Sequence, residues 1–195
     1  MTPRTFILAG RSGCGKGTQA KLLIEKLEKS GEVMLLETGK KFRELIEAKG
    51  YTNDLMRERM ATGLLLPEFL AVWNMSGQLI ENLKAAHHLV IDGIPRTPLQ
   101  AQVLAEALTF YKRENVLVIL IEVGRDWAKQ RLVERKRPDD TEDSIEKRLN
   151  WYEADVVPAL EYLRKKTDFT FVELKGEQPI EKVQADLVEN LKLKT

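Results

Sequence analysis

The sequence predicts an α/β fold of three layers, in which about five parallel strands form a sheet flanked by helices. Short apolar runs recur along the 195 residues. They are continuous rather than alternating, which is typical of strands covered on both faces. Longer amphipathic stretches separate them, as in strand-helix-strand units. A glycine-rich segment also joins the first apolar run to the first helical stretch, a common junction in such folds.

The first half of the chain contains three predicted strands and three predicted helices. The apolar runs predict strands at 5–9, 33–36 and 88–91. Amphipathic patterns predict helices at about 16–30, 38–49 and 67–84. Pro67 lies at the expected start of the third helix, where its missing N–H costs little.

The second half continues the alternation of strands and helices. Strands are predicted at 116–121 and 169–174, and helices at about 98–110, 125–136, 141–165 and 178–192. Pro98 and Pro179 lie near two of these helix starts. Asp140, with Asp143 three residues later, is predicted to cap the long helix from 141 to 165.

Composition indicates one domain that acts on small molecules. The chain is 43% hydrophobic and 31% charged, with a net charge of +1, so charge predicts neither nucleic acid nor an anionic membrane as a partner. The single cysteine, Cys14, allows no internal disulfide and no zinc site built from cysteines. Since we find no secretory signal and no apolar run of membrane-spanning length, we expect a cytoplasmic protein.

The segment that follows the first predicted strand has the composition of a phosphate-binding loop. It comprises Gly10, Arg11, Ser12, Gly13, Cys14, Gly15, Lys16, Gly17 and Thr18. Glycines let backbone N–H groups turn inward around phosphate oxygens, and the following helix adds its N-terminus. Lys16 can supply a charge to the outer phosphates, and the Thr18 hydroxyl can reach a magnesium ion. The common form of this motif has Ser or Thr directly after Lys, whereas here Gly17 intervenes.

Arginines follow the later strands, at the end of the sheet where ligands bind in open α/β folds. Arg43 lies shortly after the second strand and Arg96 after the third. These residues predict a second anion site beside the first. Arg131 and Arg135 are four residues apart on one helix face, so both can point at one ligand.

Five motifs occur in the order and at the spacing seen in adenylate kinases, and the chain resembles a nucleoside monophosphate kinase from residue 5 to about 190. The motifs are Gly-Cys-Gly-Lys-Gly-Thr-Gln, Thr-Gly-x-x-x-Arg, Leu-Leu-Pro, Asp-Gly-Ile-Pro-Arg and Arg-x-Asp-Asp-x-x-x-x-Ile-x-x-Arg-Leu. The resemblance implies the P-loop NTPase fold with a small helical insertion for AMP. It also implies the reaction Mg·ATP + AMP = 2 ADP, a step of nucleotide biosynthesis.

The resemblance also implies roles for individual residues. The ATP site would comprise Gly10 to Thr18 together with Arg131. The AMP site would comprise Thr38, Gly39, Arg43, Gly93, Arg96 and Gln100. Lys16, Arg96, Arg135, Arg137 and Arg148 would be catalytic, because stabilising charge on the transferred group supplies most of the catalysis. Thr18 and Asp92 would hold magnesium, largely through water molecules.

Gln100 bears on which monophosphate binds. Its amide offers a donor and an acceptor, which match the N1 and amino edge of adenine. Similar pyrimidine-specific kinases usually have a small residue and Asn at the positions of Thr38 and Gln100. We therefore expect AMP to be preferred over CMP and UMP.

Two positions depart from the family pattern. Lys40 replaces the Asp that usually follows Thr-Gly and helps order the water shell of magnesium. Between Arg135 and Arg137 stands Lys136 alone, where relatives insert several residues or some tens of residues, so we expect a vestigial lid at 136–140 and no zinc. The predicted core is then 1–36, 67–135 and 141–195, with an AMP-binding segment at 37–66.

Two other functions stay open from the sequence alone. One is a kinase of UMP or CMP, and the other is a weakly active nucleotide-binding sensor, suggested by Lys40 and the short lid. The several arginines near the predicted transfer point argue against a mere binder. ATP, AMP and ADP are the expected ligands, and a monomer is the default state, with an oligomer not excluded.

Overall fold

The sheet is parallel throughout and determines where the functional residues can lie. The computed structural model describes residues 2–137 and 140–192, and within them five strands form one sheet in the order β2-β3-β1-β4-β5. The strands are β1 (Thr5–Ala9), β2 (Val33–Glu37), β3 (His88–Asp92), β4 (Val116–Glu122) and β5 (Phe169–Lys175). In the central strand, Ile7 pairs with Ile91 on one side and with Val118 on the other. The predicted α/β fold with a five-stranded parallel sheet is confirmed.

Helices cover both faces of this sheet. In the described residues the α-helices are α1 (Lys16–Leu27), α2 (Thr38–Glu47), α3 (Tyr51–Ala61), α4 (Glu68–Asn82), α5 (Pro98–Phe110), α6 (Arg125–Arg135), α7 (Glu142–Trp151), α8 (Val157–Arg164) and α9 (Ile180–Asn190). One apolar core packs α4, α5 and α8 against the sheet, and a second packs α1, α6, α7 and α9 against its other face. Over residues 2–137 and 140–192, no helix is long and apolar enough to span a membrane.

Helix α3 is an element that the sequence pattern did not predict. Met56 is its only buried residue, and the rest of the helix is exposed or half-buried. A helix that buries so little shows no clear apolar period, which is why the pattern missed it. Met56 packs with Phe42 of α2 and Leu70 of α4 in a small third core. This core stabilises the segment between β2 and α4 separately from the main sheet.

The predicted long helix at 141–165 is interrupted. Between α7 and α8 the chain forms a π-helical turn, Tyr152–Val156. Pro158 lies in the first turn of α8 and has no N–H to donate to the carbonyl four residues earlier, so the regular α-helical ladder cannot continue through this point. Insertions of this kind are common near functional sites.

The predicted cap of that helix is also wrong. Thr141 caps α7, since its side chain accepts a hydrogen bond from the Ser144 N–H. The Asp140 carboxylate instead accepts hydrogen bonds from Arg135 and pairs with Arg148. The ion pairs with two arginines therefore compete successfully with the capping interaction.

His88 is buried at the start of β3 as a neutral ring with both nitrogens satisfied. Its Nδ1 accepts from the Arg4 N–H at 3.1 Å, so Nε2 carries the hydrogen and faces Ser30 Oγ at 3.3 Å. Ser30 Oγ already donates to the Leu27 carbonyl, which leaves it as the acceptor. Burial lowers the pKa of His88, and the positive charges of Arg4 and Arg113 lower it further.

We therefore expect the free energy of unfolding to fall as the pH drops from 7.5 to 5. The unfolded chain takes up a proton at His88 near the ordinary histidine pKa of 6.5, whereas the folded protein resists it until lower pH. The stabilisation is complete above that pKa and is lost below it, with a slope of at most about 1.4 kcal/mol per pH unit for one proton. Urea unfolding of the wild type and of His88→Asn across this range measures it. Equal pH slopes in the two proteins would refute the assignment.

Candidate active site

The candidate site lies at the carboxyl ends of the strands, beside the switch in strand order. β1 has β3 on one side and β4 on the other, so the loops that leave β1 and β3 diverge around a crevice. Ligands of open α/β sheets bind at such a crevice. The glycine-rich loop follows β1 directly, and the Asp-Gly-Ile-Pro-Arg segment follows β3.

The glycine-rich loop adopts backbone conformations that require glycine. Gly10 has a φ of 136°, and a Cβ there would lie 2.4 Å from the Ile121 carbonyl oxygen. Gly13 has a φ of 88°, and its Cβ would lie 2.8 Å from the Ala128 carbonyl oxygen. The loop is thus pressed against β4 and α6, and it leads into α1 at Lys16. A tight turn at a helix N-terminus is the arrangement that anion binding by backbone N–H groups needs.

Lys16 is held by the loop itself. Its Nζ donates to the carbonyls of Gly10 at 2.7 Å and Arg11 at 2.8 Å. An ammonium group on two neutral carbonyls can exchange them for phosphate oxygens, because charged acceptors make stronger bonds.

The Arg11 side chain is engaged away from the loop. Its guanidinium pairs with Glu153, donates to the Val123 carbonyl at 3.0 Å, and lies 4.5 Å from the ring centre of Tyr152. Burial raises the pKa of Tyr152 to about 12, so this ring is a neutral phenol. Arg11 therefore ties the loop to the turn between α7 and α8.

A pocket beside the loop gathers the residues predicted to bind AMP. Its lining includes Thr38, Gly39, Arg43, Gly93, Arg96 and Gln100, together with Ser12 of the glycine-rich loop and apolar residues of the segment between β2 and α4. Three of the predicted catalytic arginines line it as well: Arg135, Arg137 and Arg148. Lys16 and Arg131 are not among the residues that line it.

Arg96 is a half-buried arginine in the lining of this pocket. Its Nε donates to the Gly93 carbonyl at 2.8 Å, and its guanidinium lies 5.4 Å from the Trp151 ring centre. Burial lowers the pKa of Arg96, Asp92 opposes that change, and the charges of Arg43 and Arg148 add to it. Arginine stays protonated despite such shifts. The pocket therefore concentrates positive charge in a partly desolvated space, which favours an anion.

Trp151 joins the pocket to the end of the segment between β2 and α4. Its Nε1 donates to the Gly63 carbonyl at 3.2 Å. Gly63 has a φ of 74°, and a Cβ there would lie 2.6 Å from the Cα of Ser144. The end of this segment thus packs closely on α7, the helix that carries Arg148.

Asp140 positions two of the arginines. Its side chain is fully buried, Arg135 donates to both of its oxygens at 2.9 and 2.8 Å, and Arg148 lies 2.8 Å away. Burial alone would raise the pKa of Asp140, but the hydrogen bonds and charges of these arginines, with the Arg137 N–H, lower it. The carboxylate is therefore ionised and fixes both guanidinium groups at the pocket. The predicted lid at 136–140 includes residues 138–139, which lie outside the described residues.

Arg131 does not converge with Arg135. Its side chain is 55% exposed, lies over the Trp127 ring at 4.9 Å and is 3.8 Å from Glu134. The two arginines share a helix, yet Arg135 turns to Asp140 while Arg131 faces solvent. Whether both side chains reach one ligand, and whether Arg131 binds ATP, stay predictions.

The residues predicted to hold magnesium are compatible with it. An Asp92 carboxylate oxygen lies 3.8 Å from the position of a Cβ on Gly17, so it faces the first turn of α1 beside Thr18. A hydroxyl and a carboxylate are oxygen donors of the type that magnesium prefers. Lys40 stands where relatives have an Asp, and its side chain is exposed, so this chain lacks the second carboxylate that would order the water shell of magnesium. Within residues 2–137 and 140–192 no cluster of three or more His, Cys, Asp or Glu forms another metal site.

The sequence analysis did not single out the loop after β5. Gly176 donates its N–H to the Glu122 carbonyl at 2.8 Å, and Gly124 donates to Glu177 at 2.6 Å. Gln19 of α1 donates to the Ile180 carbonyl at 3.1 Å. The loop thus contacts the segment that follows β4 and, through Ile180, the first turn of α1, at the same end of the sheet as the glycine-rich loop. The strand-end rule, applied to β5 as it was to β2 and β3, would have found it.

This fold and site define a P-loop phosphotransferase that handles nucleotides. The family model of adenylate kinase matches residues 8–168. The adenylate kinase of Corynebacterium urealyticum is 34% identical over 157 residues, which are 80% of this chain and 84% of that protein. That of Cyanothece sp. is 31% identical over 186 residues, covering 93% and 92%, and that of Mycobacterium bovis is 34% identical over 158 residues, covering 81% and 84%. The chain belongs to the adenylate kinase family.

Proposed function

We propose that the protein transfers a phosphoryl group reversibly between Mg·ATP and AMP, with AMP in the arginine-lined pocket and ATP over the glycine-rich loop. The observation that carries the proposal is the convergence on one pocket of five arginines: Arg43, Arg96, Arg135, Arg137 and Arg148. Thr38 and Gln100 line the same pocket and supply neutral polar groups for a base. A charged end and a neutral polar end together suit a nucleoside monophosphate.

Each group then has a distinct task. Arg43 and Arg96 bind the AMP phosphate, while Lys16 exchanges its two carbonyl partners for oxygens of ATP. Arg135, Arg137 and Arg148 stabilise the charge that spreads over the transferred group, which needs no covalent intermediate. Magnesium, bound with ATP and held through Thr18 and Asp92, would neutralise phosphate charge.

The small third core supports a separate AMP-binding segment at 37–66 on a core of 1–36, 67–135 and 141–195. The lid comprises only 136–140, so another part of the protein would have to exclude water from the transfer site. Either the AMP-binding segment closes over the site, or a neighbouring subunit covers it. Negligible hydrolysis of ATP by a monomeric enzyme without AMP would exclude the subunit version. We also propose a cytoplasmic monomer without nucleic-acid or membrane partners, which size-exclusion chromatography and cell fractionation can test.

A coupled assay of ADP formation with AMP, CMP, UMP and GMP tests the proposal. We expect AMP to give the highest kcat/KM. Faster turnover of CMP or UMP would favour the pyrimidine alternative. Tight nucleotide binding with negligible turnover of all four would favour the sensor.

Lys40→Asp restores the carboxylate that relatives have beside the magnesium site and so tests the effect of its replacement by Lys40. We expect the variant to reach half of its maximal rate at a lower magnesium concentration, because the new carboxylate adds an acceptor for the water shell. Titrating magnesium at fixed ATP measures the change. The neighbouring exposed Lys41→Asp is the matched control for charge alone. An unchanged magnesium dependence in Lys40→Asp would mean that this side chain extends into solvent without effect.

A further inference from the structure

The amide of Gln100 is held in one orientation by two partners of opposite kind. Its Oε1 accepts from the backbone N–H of Arg96 at 2.8 Å, and its Nε2 donates to Glu68 Oε2 at 2.9 Å. A backbone N–H can only donate and an ionised carboxylate can only accept. Turning the amide over would place N–H against N–H and oxygen against oxygen. Gln100 is 3% exposed, so water does not compensate for such a reversal.

The fixed amide keeps a defined pattern for a ligand. Nε2 has a second hydrogen and Oε1 a second lone pair, and Gln100 lines the pocket. A 6-aminopurine has an acceptor at N1 and a donor at its amino group, which complement this pattern. A 6-oxopurine has a hydrogen on N1 and an oxygen at position 6, so its pattern is the reverse.

We propose that Glu68 is a specificity-determining positioning residue, which orients Gln100 so that the pocket accepts 6-aminopurine monophosphates and rejects 6-oxopurine monophosphates. Glu68 lies in the first turn of α4, at the end of the AMP-side segment, and does not itself line the pocket. It acts through Gln100 alone. The inference rests on the proposed function, since it assumes that the monophosphate base lies against Gln100.

The probe pair is AMP and IMP, which differ only at the groups that Gln100 reads. Removing Glu68 deletes the charge-assisted bond and leaves only the Arg96 N–H to orient the amide. We expect Glu68→Leu to lower the ratio of kcat/KM for AMP to that for IMP by roughly ten- to a hundredfold. The ratio cancels differences in the folded fraction and any effect of the lost charge on phosphate binding. Glu68→Ala repeats the test if the leucine variant does not fold.

Two further variants separate orientation from a structural effect. Glu68→Gln keeps the size of the side chain but can donate as well as accept, so it no longer holds the Gln100 amide in one orientation, and we expect its ratio to fall as in Glu68→Leu. Glu81→Leu changes an exposed glutamate near the other end of α4 and should leave the ratio unchanged. A wild-type ratio in Glu68→Leu or in Glu68→Gln, or an equal fall in Glu81→Leu, would each overturn the proposal. If the wild type forms no ADP from AMP, the proposed function itself fails, and that outcome is distinct from an unchanged ratio in an active enzyme.

Discussion

We expect Lys16→Met to lower kcat for ADP formation by about a hundred- to a thousandfold, the range seen when one fixed donor to the reacting charge is removed. The Lys16 ammonium donates to the carbonyls of Gly10 and Arg11, both within the glycine-rich loop. Its removal therefore changes the charge that faces ATP while leaving the sheet and both main cores untouched. Methionine keeps the length and the apolar stem of the side chain. Steady-state kinetics with saturating AMP and ATP measures the effect.

The control for this experiment is on the same helix. Lys21→Met changes an exposed lysine of α1 and should keep wild-type turnover. Urea unfolding of both variants should show that each is folded under assay conditions. Turnover by Lys16→Met within a factor of about three of the wild type would mean that the phosphates of ATP lie elsewhere.

We expect Arg96→Met to lower kcat/KM for AMP by about a hundred- to a thousandfold. Arg96 is the arginine whose guanidinium is bonded to Gly93 and flanked by the charges of Arg43 and Arg148. Removing it takes away a rigid, planar donor that lysine cannot replace at a bidentate site. The loss should appear mainly for AMP, with KM for ATP changed much less.

Arg164→Met provides the matched comparison for Arg96. Arg164 ends α8, and its ion pairs with Glu161 and Glu173 are exposed. Such pairs contribute at most about 1 kcal/mol to stability, so activity should stay near that of the wild type. Equal losses of kcat/KM for AMP and for ATP in Arg96→Met would contradict the assignment of this pocket to the monophosphate.

The sheet could be predicted because its signal is local. Runs such as Phe6-Ile7-Leu8 are apolar at successive positions and short, and their side chains are buried on both faces of the strand, as in a buried parallel strand. Helix α3 could not be predicted in this way, because a single buried residue leaves no periodic pattern. The π-helical turn after Trp151 had a signal in Pro158, but its form depends on how α7 and α8 pack on the sheet.

The sequence was sufficient to predict which residues form the site, but not how their side chains contact one another. Strand-end loops and the family motifs selected the arginines that line the pocket. They could not show that Asp140 pairs with Arg135 and Arg148 instead of capping α7. That pairing depends on how α6 and α7 lie beside each other. Nor could they show that Arg131 turns outward or that Glu68 bonds to Gln100, since the latter contact joins residues 32 positions apart.

The indole of Trp151 is the hydrogen-bond donor to Gly63 and the aromatic face beneath the Arg96 guanidinium. Fluorescence from an indole depends on its hydrogen bonding and on nearby charge. This chromophore therefore lies between the arginine-lined pocket and the end of the segment that joins β2 to α4, so we expect its emission to change when either of them is perturbed.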